Sequence, residues 1–144
     1  MSNSEPLGQY LDRDVDVCNS SKLYPRLDSN SLSHAVVLIW LSTAKELAAF
    51  RQHLPDLVEA APLALSVAGT YAKQAFDELL HHLDTKKVLR QIMTKSTEGE
   101  LRDCLEDLLW ATWPSEDRFD NWSTYLVVGP EIEPLKSALA DLIR

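Results

Sequence analysis

AVVLIWLSTAKELAAF, Ala35 to Phe50, changes its grammar halfway along. Ala35 to Leu41 is an unbroken apolar run rich in β-branched residues, as a strand covered on both faces requires. A capping box then opens a helix: the Thr43 hydroxyl can take amides of the first turn while Glu46, three residues on, reaches back. Leu47, Phe50, Leu54, Leu57 and Val58 continue as a helical stripe, and Pro62 closes the unit. A buried strand running straight into an amphipathic helix is the repeating block of a parallel sheet.

The block recurs downstream. LALSVAG, Leu63 to Gly69, reads as a second buried strand, and Thr70 opens a helix with Ala72, Ala75, Phe76, Leu79, Leu80 and Leu83 on one face. VLRQIMT, Val88 to Thr94, reads as a weaker third strand interrupted by Arg90 and Gln91. A second capping box at Thr97 and Glu100 begins a helix striped by Leu101, Cys104, Leu105, Leu108, Leu109 and Thr112. TYLVVG, Thr124 to Gly129, is the fourth strand, and Pro134 starts the last helix. These units predict a small three-layer α/β sandwich, Rossmann-like or flavodoxin-like, with helices on both faces of four mostly parallel strands. The polar third strand belongs at an edge, so the order 3-2-1-4 is expected for this βαβαβαβα chain, with 2-1-3-4 as the rival.

Upstream, residues 1–33 are polar and rich in Ser, Asn and Asp, and predict a loosely packed arm before a single α/β domain over 34–144. Within that arm YLDRDVDV, Tyr10 to Val17, alternates after Leu11 with Val15 and Val17 on one side, as a short edge strand does.

A chain of 144 residues that is 45% hydrophobic can bury one core. Its 22 acidic against 14 basic residues leave a net charge of −8, a field that repels phosphate backbones. The densest basic group, Lys86, Lys87 and Arg90, is too small to reverse that field. No nucleic-acid partner is therefore expected, and a basic protein suits the charge instead. No apolar run approaches the roughly 20 residues of a membrane span. MSNSEPLGQYLDRDVDV, Met1 to Val17, has neither the basic flank nor the apolar run of a signal peptide. The expectation is a soluble cytoplasmic protein, away from membranes, with Cys18 and Cys104 as reduced thiols.

Open parallel sheets place ligands beyond the carboxyl ends of their strands. There Thr43, Thr70, Lys95 and Thr97 form a candidate anion-binding set at helix N-termini, although helix capping calls for the same hydroxyl residues. With glycine only at Gly8, Gly69, Gly99 and Gly129, neither a dinucleotide turn nor a phosphate-cradling loop can be built. GxSxG is absent, as is a carboxylate cluster at the strand ends. His34, His53, His81 and His82 have no metal-ligand spacing. His81 and His82 fall near the C-terminus of the second helix, where a partly protonated imidazole suits the dipole. No enzyme, cofactor or metal signature emerges.

LLWATWPSEDRFDNWSTYLVVG, Leu108 to Gly129, holds three of the four tryptophans. Trp110 and Trp113 end a helix that Pro114 stops, and the following connection exceeds the roughly 2 to 6 residues usual before a strand. Trp113, Glu116, Asp117, Arg118, Phe119, Asp120 and Trp122 are the candidate partner-binding residues. Interfaces enrich large aromatics and arginine, and the acidic neighbours suit a basic partner. The competing use of such rings is to pin a long loop to the body.

In size, acidity, single α/β domain and lack of catalytic motifs, the chain resembles bacterial immunity or antitoxin-type neutralising proteins. That resemblance of class implies a non-enzymatic interaction protein that binds a more basic protein. The alternative is a small-molecule, nucleotide or phosphate-binding α/β module, or a degenerate enzyme, working at the strand ends. Association into a homodimer is a third reading.

Overall fold

The computed structural model describes residues 5–88 and 91–143. The described residues open with a hairpin, β1 (Glu5–Tyr10) and β2 (Arg13–Asn19), within the stretch expected to be a loosely packed arm. Leu11 and Asp12 form the turn at φ 51° and 65°, the left-handed pair that lets a two-residue loop follow the twist of its strands. A short helix α1 (Ser20–Leu23) and a 3-10 turn (Tyr24–Arg26) lead to β3 (Ala35–Trp40) and α2 (Ala44–Glu59). Then come β4 (Ala64–Ala68), α3 (Ala72–Thr85), β5 (Met93–Thr97) and α4 (Leu101–Ala111). A 3-10 helix (Glu116–Asn121), β6 (Thr124–Gly129) and α5 (Ile132–Leu142) complete the order.

One sheet holds all six strands in the order β1-β2-β6-β3-β4-β5, every neighbouring pair parallel except β1 with β2. The expected four-strand sheet is thereby corrected to six strands, with β1 and β2 added beyond β6, while the four expected strands keep the relative order expected of them, β5-β4-β3-β6. β2 runs parallel to β6 from Asp14↔Thr124 to Asn19↔Gly129, and β1 lies outside it. Val15, Val17 and Cys18 are buried because β6 offers them an open edge and helices cover both faces. What reads as an irregular polar stretch is half apolar in alternation, and only its polar half is conspicuous along the chain.

Side-chain alternation divides the core cleanly. Val37, Ile39, Leu65, Val67, Leu126 and Val128 face α2 and α3. Val36, Leu38, Val15, Val17, Tyr125 and Val127 face α4 and α5 on the other side. The result is an α/β sandwich in which helices cover both faces of a mixed sheet. Among the described residues, no helix is long and apolar enough to cross a membrane.

The third predicted strand is also corrected. Strand β5 is MTKST, paired from Ala64↔Met93 to Ala68↔Thr97, several residues beyond the expected VLRQIMT. Val88 and Ile92 pack into the core ahead of it, and Arg90 lies outside the described residues. An edge strand needs little apolar sequence, so hydrophobicity marks the packed approach rather than the strand itself.

Capping follows the first prediction and departs from the others. Thr43 Oγ1 accepts from the Glu46 amide at 3.3 Å and donates to Glu46 Oε1 at 2.9 Å. Helices α3 and α4 begin instead after Tyr71 and Glu100, neither of which makes a side-chain capping bond, and Thr97 stays in β5. Gly69 follows β4 at φ 102°, where an added Cβ would stand 2.7 Å from the Leu41 carbonyl oxygen. Only glycine fits that junction.

From β3 the chain steps outward through β4 to β5, then returns across the sheet to β6 on the opposite side of β3. The connections on either side of β3 thus lie on opposite faces. That arrangement opens a crevice at the carboxyl ends of β3 and β6.

Candidate functional site

Two regions at opposite ends of the sheet emerge from this topology. Beyond the carboxyl ends of β2, β6 and β3 lies a cleft of about 630 Å³, walled by Tyr24, Trp40, Thr43, Glu46, Glu131 and Pro134 among others. At the amino ends lies the connection between α4 and β6, held by hydrogen bonds from Ser123 N to His34 O (3.0 Å) and Asp14 N to Ser123 O (2.9 Å).

The candidate anion-binding residues do not converge. Thr43 lines the cleft, but Thr70 is exposed beyond β4. Lys95 Nζ donates to Asp107 Oδ1 at 3.0 Å and to the Ala111 carbonyl at 3.1 Å, so its charge is spent tying β5 to the end of α4. The Thr97 carbonyl faces the Cys104 thiol, with Sγ at 3.8 Å. The expected set assumed that residues 94–97 form a loop after a strand. They are the strand, so Lys95 and Thr97 project toward α4 rather than to the rim. The first turn of α2, the natural place for an anion, is already faced by the Glu46 carboxylate, whose Oε1 accepts hydrogen bonds from the Ser42 and Thr43 hydroxyls.

At the other end, Trp122 turns inward and is only 8% exposed. Its ring meets Phe119 edge-on at 5.6 Å and Tyr125 at 5.2 Å, and the Arg13 guanidinium lies 3.7 Å from its centroid. Trp122 therefore anchors the loop, with a cation–π cover supplied by β2. Arg118 is half-buried and lines a second cavity, of about 390 Å³, beside Asn30, Glu59 and His82. The exposed rings are Trp110 at 57%, Trp113 at 51% and Phe119 at 38%, accompanied by exposed Glu116, Asp117 and Asp120. Trp110 is the residue that the sequence-derived set omits. Its position just beside the Leu105, Leu108, Leu109 stripe is the signal that could have found it.

The titratable groups offer little reactivity. Burial pushes the Cys18 thiol up to about 11, and burial likewise raises Cys104, so neither is a thiolate at neutral pH. Partial desolvation, then Lys86 and His81, lower the His82 pKa. The partly protonated imidazole expected there is thus disfavoured, despite the favourable helix end. Among the described residues no group of three or more His, Cys, Asp or Glu side chains could hold a metal ion.

Fold and regions together define an α/β protein with a mixed six-stranded sheet, a cleft at its topological switch point, and an exposed aromatic and acidic surface at the opposite end. Compared with protein-family models, curated proteins and solved structures, the chain finds no match.

Proposed function

We propose that this protein is a non-enzymatic, acidic binding protein that docks a more basic protein where α4 ends, in the manner of immunity or antitoxin-type neutralisers. The observation that carries this reading is the pair Trp110 and Trp113, each more than half exposed, followed in the chain by exposed Glu116, Asp117 and Asp120. Tryptophan is among the most energetic interface residues, and leaving two such rings in water is unfavourable unless something covers them. Phe119, also exposed, follows them in the chain, and Trp122, which its ring meets, holds the loop in shape. Little ordering entropy then remains to oppose association. A net charge of −8 speeds the encounter with a cationic partner and makes it sensitive to salt.

The test compares the intact protein with a Trp110→Ala, Trp113→Ala double variant as bait for cross-linking and capture. A positively charged partner, cross-linked at residues 110–120 and lost from the double variant, is the expected result. Capture undiminished by the double substitution overturns the proposal. So does light scattering that shows two copies of this chain joined through the same tryptophans.

A further inference from the structure

We propose that the switch-point cleft binds a small organic cation, a protonated amine carried on an apolar or aromatic body, with Glu46 as its counter-charge. At about 630 Å³ the cleft has the dimensions of a small-molecule site, and it stands where open α/β sheets place ligands. Its chemistry follows from where the protons of its wall go. Ser21 Oγ donates to Asn19 Oδ1 at 2.6 Å, Ser42 Oγ to Glu46 Oε1 at 3.1 Å, and Thr43 Oγ1 to the same carboxylate oxygen at 2.9 Å. These three hydroxyl hydrogens are already committed, so lone pairs are what Ser21, Ser42 and Thr43 have left to offer, while the Ser20 and Tyr24 hydroxyls also line the cleft. Glu46 and Glu131 add acceptors, whereas Lys45 is the sole cation among the described lining residues. Such a wall complements a ligand that donates hydrogen bonds and carries positive charge.

Two further groups point to an occupant. Glu46 Oε2 is shielded from water and has no hydrogen-bond partner among the described residues, a costly state for a carboxylate that a neighbouring cation relieves. Tyr24 is independent of the carboxylates. Its ring is only 5% exposed and stacks on His53 at 4.7 Å, yet it forms part of the cleft wall. Burial, then the nearby Glu46 carboxylate, raise the phenol's pKa far above its ordinary value, so the hydroxyl stays neutral. The half-buried Trp40 ring, with Pro134 and Leu135, supplies an apolar face for the ligand's body and a π surface for its charge.

Phenethylamine and 3-phenylpropionate share a ring and differ in the sign of their terminal charge. Each is titrated into the full-length ¹⁵N-labelled protein. Phenethylamine is expected to bind with roughly millimolar affinity, given its few heavy atoms, and to shift amides within residues 19–24, 40–46 and 130–135. The anion should bind at least about tenfold more weakly. Glu46→Gln retains the capping contacts while removing the charge, and should weaken phenethylamine about tenfold without unfolding α2. Trp110→Ala, at the far end of the sheet, should leave its affinity unchanged. The proposal is overturned if phenethylamine fails to bind at millimolar concentration, if 3-phenylpropionate binds equally well, if the shifts lie elsewhere, or if Glu46→Gln binds as the parent does.

Discussion

Trp122 and Phe119 stand three positions apart in the same charged loop and are nearly alike in chemistry, yet only one of them is a core residue. Nothing local separates them; Tyr125 and Arg13 do, by closing over the Trp122 ring. Trp122→Ala should cost about 3 to 5 kcal/mol of stability in a urea melt, the range for truncating a buried aromatic. Trp122→Phe should cost much less, since the indole Nε1 has no hydrogen-bond partner among the described residues. Equal losses for the two variants would show that a polar contact holds the ring. His82 gives a pH signature with a definite sign. Its folded pKa lies below the ordinary 6.5, so below about that pH the unfolded chain binds more protons and stability falls as pH falls. His82→Gln should flatten the decline in melting temperature between pH 6.5 and more acidic conditions; an unchanged slope would assign the acid sensitivity to other groups.

At the scale of elements, the turn between β1 and β2 carries two non-glycine residues in the left-handed region. That conformation costs roughly 1 to 2 kcal/mol for each ordinary L-residue, and Leu11 is exposed, so its side chain returns little packing. Replacing Leu11-Asp12 by Asn-Gly should raise the urea midpoint by an amount worth about 1 to 2 kcal/mol with an unchanged m-value. A fall instead would mean that the turn is not of this type. Elements also mark the limit of sequence reading. The strand β3 and the box at Thr43 are legible because every signal lies within one turn or strand of its neighbours. The register of β5 is illegible for the opposite reason: hydrophobicity peaks at Val88 and Ile92, which fill the core, while MTKST pairs through its backbone at an edge where side chains matter less.

For the whole molecule, the order β1-β2-β6-β3-β4-β5 makes the hairpin of residues 5–19 part of the sheet. Deleting residues 1–19 should abolish the cooperative melt, because it strips Val15, Val17 and Cys18 from the core and Arg13 from Trp122. A dispensable arm would leave the melt intact, and circular dichroism with thermal denaturation distinguishes the outcomes. The same scale locates both regions: the cleft needs the ends of β2, β6 and β3, and the loop after α4 is anchored where Trp122 meets Tyr125 and Arg13 of β2. Periodicity along the chain was sufficient for the alternation of strands and helices, their apolar faces and the α/β class, since these depend on residues only a few positions apart. Pairing β2 with β6, turning Trp122 inward, committing Lys95 to Asp107 and gathering Tyr24, Trp40 and Glu46 about one cleft all join residues on different elements. Contacts between distant segments leave no local period in the sequence, so only packing in three dimensions could decide them.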